Sequence, residues 1–205
     1  MKMVERFRIL AMLFVLAAAL RARAYEYPLT SEAIREAYIL GTGPGGSQAD
    51  FYTPYAYSFH MPNTDLPGSL ITIETPFLQV AEQARQAANY DAQDAVKKFL
   101  GKPAVFRVYA DVYYRPRNPE AREVNPNQVR VTLTLIQNRE KIVPESTDRW
   151  PLTVFRDAGT GAVSVGEHVQ IEFAAEKIDD SPLTIKVSAP DNRSAKNTFD
   201  LARIR

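Results

Sequence analysis

Two hydrophobic rhythms divide the chain near residue 101. Up to that point apolar residues recur at helical spacing; beyond it they fall at every second position. In residues 104–114, Phe106, Val108, Ala110 and Val112 alternate with Arg107, Tyr109, Asp111 and Tyr113. Successive strand side chains point to opposite faces, so this stretch predicts a long strand with one oily and one polar face. The same alternation predicts strands over residues 129–137, 141–143, 150–156, 162–165, 168–174 and 183–187, with Phe199 and Leu201 closing the series. Pro151 argues that its strand is an edge or begins there, because proline has no N–H for the ladder. About seven to eight short strands with one apolar face each describe two sheets packed face to face. An antiparallel barrel is the alternative.

The first half reads as helices with one short strand. Thr30 predicts an N-cap, with Leu29 and Ile34 as the staple across it and Gly41 as the stop. Ala33, Ile34, Ala37, Tyr38 and Leu40 form the inner face of that helix. Residues 69–74 alternate as a strand. Thr75-Pro76 then opens a second helix, buried through Phe77, Val80, Ala81, Ala84 and Ala88. Asp91 opens a third, with Ala92, Ala95, Val96, Phe99 and Leu100 facing inward, Lys97 and Lys98 complementing the helix dipole, and Gly101 ending it. The expected fold is therefore α+β: an N-terminal helical region, residues 25–101, packed on a C-terminal antiparallel β-sandwich, residues 102–205. Its texture is immunoglobulin-like or fibronectin-like, an analogy that carries no function.

Residues 1–24 stand apart. Lys2, Arg6 and Arg8 precede an unbroken apolar run over residues 9–20, and Ala22-Arg23-Ala24 has the small-x-small form of a cleavage site. That order reads as a secretory signal peptide cut after Ala24. The apolar run is shorter than the ~20 residues that a membrane-spanning helix needs; an uncleaved anchor is the competing reading. Export to the periplasm or beyond is expected, with no transmembrane segment in the mature chain. Taking the leader's five basic and one acidic residue from totals of 25 and 24 leaves 20 and 23, so the precursor's net charge of +1 becomes −3. A mildly acidic mature chain has no footprint for nucleic acid and is expected to lack a polybasic patch for anionic membranes.

The chain contains no cysteine and two histidines, His60 and His168. Disulfides, thiol nucleophiles and cysteine-ligated metals are excluded. Residues 41–47, G-T-G-P-G-G-S, lack the preceding strand and following Gly-Lys-Ser/Thr of a phosphate loop and read as a surface loop. Ser164, in A-V-S-V-G, lacks the first glycine of a nucleophile elbow. His168 shares a strand face with Gln170 and Glu172 and reads as an exposed edge histidine. The acids of Asp179-Asp180 and Asp191-Asn192 read as turn residues. No cofactor or metal motif is present.

One polar constellation remains. Tyr109, Asp111 and Tyr113 place a carboxylate between two tyrosines, as a sugar subsite does, and the aromatic-rich loop around Tyr55 would supply a wall. The leading expectation is a non-enzymatic, exported bacterial envelope protein with a binding or assembly role and an envelope protein or glycan as partner. The alternative is a carbohydrate-binding or carbohydrate-active protein that uses this face. A third is that the aromatic loop docks a protein.

Overall fold

The computed structural model describes residues 25–43, 52–60, 68–87, 90–114, 130–155, 162–190 and 192–204. The leader and most of the glycine-rich loop lie outside the described residues, as do residues 115–129 and 156–161. Among those described are three α-helices and nine strands in two antiparallel sheets, an α+β arrangement.

The helices form where their caps allow. In α1 (Ser31–Thr42) the Thr30 hydroxyl accepts the Ala33 N–H at 3.1 Å. In α2 (Pro76–Gln86) Thr75 accepts the Leu78 N–H at 3.1 Å and Pro76 occupies the first turn. In α3 (Ala92–Phe99) the Asp91 carboxylate accepts the N–H groups of Gln93 and Asp94 at 2.7 and 2.8 Å. Each satisfies backbone donors that the helix itself leaves unpaired. Leu29, Ala33, Ile34, Ala37, Phe77, Val80, Ala81 and Ala95 bury together as the helical cluster.

Three details of the helices differ from expectation. Gly41 does not end α1, which runs to Thr42. It lies where α1 crosses α2, and a Cβ there would sit 2.0 Å from the Ala81 carbonyl oxygen. With Gly41 turned to α2, Leu40 is rotated away and is 46% exposed. Leu100 is also 46% exposed: it is the C-cap, in extended conformation, so it no longer follows the helical period that would have turned it inward.

The five-stranded sheet has the order β1 (Ala56–Phe59), β2 (Ser69–Glu74), β3 (Val105–Tyr113), β7 (Ala162–Ala174), β6 (Ser146–Phe155). The four-stranded sheet runs β5 (Glu140–Ile142), β4 (Thr132–Gln137), β8 (Leu183–Ser188), β9 (Ser194–Phe199). One hydrophobic cluster draws on both sheets: Phe106, Val108, Val169, Ile171 and Phe173 from the first, Leu135, Leu183, Ile185 and Val187 from the second. The alternation on β3 is as expected, with its even-numbered residues 106–112 buried. Pro151 lies on β6, an edge strand.

β1 and β2 precede residue 101 yet belong to the five-stranded sheet; Ile71 pairs with Ala110 and Ile73 with Val108. β1 arises inside the stretch expected to be an aromatic loop. Alternation there, with Tyr57 and Phe59 packed on the core and Ser58 exposed, is too short to stand out among the prolines and tyrosines around it. The two strands expected at 162–165 and 168–174 are one, because Gly166 continues the ladder, opposite Tyr113, instead of breaking it.

Candidate polar face of the five-stranded sheet

The polar residues of β3 meet those of β2, β7 and β6 in register, and three rows cross the sheet. Leu70, Asp111, His168 and Trp150 make the first; Thr72, Tyr109, Gln170 and Asp148 the second; Glu74, Arg107, Glu172 and Ser146 the third. Paired side chains on one face stand ~5 Å apart, near enough to interact directly.

In the first row His168 Nδ1 lies 2.5 Å from Asp111 Oδ1. A carboxylate at that nitrogen holds the proton on Nδ1 and leaves Nε2 as the acceptor of the neutral ring. The Trp150 ring lies 5.1 Å from the imidazole and the Tyr109 ring 6.2 Å from it. Trp150 is 47% exposed, the Asp111 side chain 37% and the His168 side chain 28%. The row is open to solvent across the paired strands β3, β7 and β6.

The third row is a closed ion network. Arg107 donates from Nε to Glu172 at 2.6 Å and from Nη1 to Glu74 at 3.3 Å, while the Tyr109 hydroxyl donates to Glu74 at 2.8 Å. Ser146 donates to Glu172 at 3.2 Å. Burial pushes the Glu74 carboxyl above its ordinary 4.5, against the lowering effect of Tyr109 and Arg107. The Arg107 hydrogen bond holds Glu172 below 4.5. Burial and the Glu74 charge raise the Tyr109 phenol.

These two carboxyls predict opposite pH dependences. Between pH 4.5 and the raised Glu74 value, the folded chain keeps a proton that the unfolded chain has released, so stability falls as pH rises through that window. Glu172 contributes stability that is present above 4.5 and lost as pH falls through its lowered value. Glu74→Gln, which still accepts from Tyr109, is expected to flatten the upper part of the stability–pH curve and keep the acid limb. Urea unfolding from about pH 3 to about pH 8 measures this; an upper limb that keeps its slope in the variant contradicts it.

The expected site residues separate in the structure. Tyr109 and Asp111 share the polar face. Tyr113 is half-buried at the end of β3, opposite Gly166, which offers it no side-chain neighbour on β7. Tyr55, 7% exposed, belongs to the hydrophobic cluster and so is no wall of the polar face. His168 is not at an edge: β7 is flanked by β3 and β6. Trp150, Glu74, Arg107 and Glu172 join the face only through strand pairing. The sequence signal was the alternation His168, Gln170, Glu172 beside the chain's one tryptophan, and it names no partner strand.

A histidine held by a carboxylate is the orienting half of a hydrolytic triad, which also needs a nucleophile within hydrogen-bond reach. Ser164, four residues along β7, is about 13 Å away at ~3.3 Å per residue, and its hydroxyl donates to the Gly166 carbonyl. No group of three or more histidine, aspartate or glutamate side chains among the described residues is arranged to hold a metal ion. The first row presents an exposed indole, an oriented imidazole and carboxylate oxygens. No family model matches the chain, and no curated protein or solved structure is significantly similar to it.

Proposed function

We propose that the chain is an exported envelope protein, periplasmic or secreted, that binds carbohydrate on the polar face of its five-stranded sheet. The fold in this reading is a β-sandwich carrying the helices beside it, and the cluster shared by both sheets supports it. The leader's order of basic, apolar and small residues supports export. The observation that carries the ligand class is Trp150, 47% exposed and 5.1 Å from the Asp111-held His168 ring. A sugar presents an apolar C–H face that stacks on an aromatic ring, and hydroxyls around its rim that need fixed acceptors and donors. Trp150 supplies the first; Asp111, His168, Asp148 and Gln170 supply the second. Arg107 is already engaged by two glutamates, so the face favours neutral sugars over acidic ones.

The test uses protein purified from the exported fraction, where its first residue is expected to be Tyr25. Glycan-array screening followed by calorimetry is expected to find a neutral oligosaccharide ligand. Trp150→Ala and Asp111→Asn are each expected to weaken binding by about tenfold or more, corresponding to ~1.4 kcal/mol, with the circular dichroism spectrum unchanged. A wild-type chain that ignores a broad array refutes the reading.

A further inference from the structure

The turn that leaves α3 carries an unusual surface. Residues 97–102 read K-K-F-L-G-K, with no acid among them. Lys97 is 75% exposed at its side chain and lies 3.5 Å from Asp94. Lys98 donates to Gln83 at 2.7 Å and stands 5.5 Å from the Phe99 ring centre. Lys102 is exposed, and Leu100 is 46% exposed between them. Lysines in the last turn of a helix offset its dipole, which accounts for Lys97 and Lys98. It does not account for Lys102, beyond the helix end, or for a large apolar side chain held out in water.

The chain enters the described fold at the same place. Tyr27 and Pro28 line one cleft of about 290 Å³ with Phe99, Gly101, Lys102 and Pro103. Tyr25, two residues earlier, is pinned by its N–H to the Leu201 carbonyl at 2.8 Å and by its hydroxyl to the Ala175 carbonyl at 2.9 Å.

We propose that this turn is a membrane-surface contact, with Lys97, Lys98 and Lys102 taking anionic phospholipid headgroups and Leu100 entering the interface. Charge complementarity selects the occupant: basic clusters at a membrane are attracted by the negative surface, and an apolar side chain among them gains burial at the headgroup boundary. The whole-chain balance hides the feature, because three cations on six residues are offset by acids elsewhere.

The absence of cysteine makes the contact directly readable. Leu100→Cys in the full chain gives a single attachment point for an environment-sensitive fluorophore. Ser194→Cys is the control: it is exposed and pairs with Ser188, which pairs with Thr132, near the far end of β3 from residue 105. With vesicles of mixed phosphatidylglycerol and phosphatidylcholine, the dye at position 100 is expected to shift to the blue and the dye at 194 to stay unshifted. Each Lys→Glu change at 97, 98 or 102 is expected to weaken the vesicle response by roughly fivefold or more, and added salt to weaken it further. No shift at position 100 overturns the proposal. So do equal shifts at both positions, equal shifts with phosphatidylcholine alone, or a shift that survives reversal of all three lysines.

Discussion

Gly41→Ala is expected to destabilise the chain by about 3 kcal/mol, where helix propensity alone predicts a gain of about 1 kcal/mol. The sign reverses because of what a methyl group would meet. A Cβ on residue 41 would lie 2.0 Å from the Ala81 carbonyl oxygen, 2.8 Å from its carbon and 3.0 Å from its Cα. All three are backbone atoms, so no side-chain rotation relieves the clash and α1 must move off α2. That separation opens the cluster of Ala33, Ile34, Ala37, Val80 and Ala81. α2 resists, since it continues from β2 through Thr75 and its Gln79 side chain donates to the Val105 carbonyl at 2.7 Å. In a chain of this size, about 3 kcal/mol corresponds to a fall in Tm of ~6–12 °C. Thermal unfolding followed by far-ultraviolet circular dichroism measures it, and a Tm at or above that of the wild type rejects the close crossing of the helices.

Glu167→Ala is expected to cost about 2–3 kcal/mol, since it strands a buried N–H and takes the counter-charge from a partly buried guanidinium. Glu167 lies on β7, 8% exposed, and its carboxylate accepts the Val131 N–H at 2.7 Å. Arg149 of β6 donates to the Val131 carbonyl at 2.6 Å and lies 3.4 Å from Glu167. Both main-chain groups of Val131, a fully buried residue just ahead of β4, are thus satisfied by side chains of the other sheet. This staple joins the five-stranded sheet to the first strand of the four-stranded one. Alanine at 167 leaves a buried N–H unpaired and a guanidinium without its counter-charge. Chemical denaturation of Glu167→Ala, Arg149→Met and the double variant closes a mutant cycle. A double variant less damaged than the sum of the two singles is the expected result; additive losses would show that the pair does not act together.

The strands of the two antiparallel sheets were legible wherever alternation ran long enough. Phe106 to Val112 and Leu183 to Val187 bury as their period requires, and Thr30, Thr75 and Asp91 cap helices as their hydroxyl and carboxylate chemistry requires. Short elements escaped: β1 has four residues, about one full alternation either way, and proline and tyrosine around it suggest a loop equally well. Half of the candidate site was legible too. Arg107, Tyr109 and Asp111 on one face, and His168, Gln170 and Glu172 on another, follow from period alone. That Asp111 meets His168, and that Trp150 completes the row, follows from the register of β3, β7 and β6. Register depends on which strands become neighbours, and β6 covers the side of β7 that would otherwise make His168 an edge residue.

Local chemistry in the chain therefore settled which residues are extended, which are coiled, which side of each element is oily and which backbone groups the caps satisfy. These depend on neighbours within about one helical turn or one strand. Partnership was decided in three dimensions. Backbone pairing brought residues 57 positions apart, Asp111 and His168, within 2.5 Å. Helix crossing turned Gly41 from a stop into a contact, and desolvation gave Glu74 an affinity for its proton that its own sequence neighbourhood does not confer. Each of these arises from the distance between segments and the water excluded between them, quantities that exist only once the chain has folded.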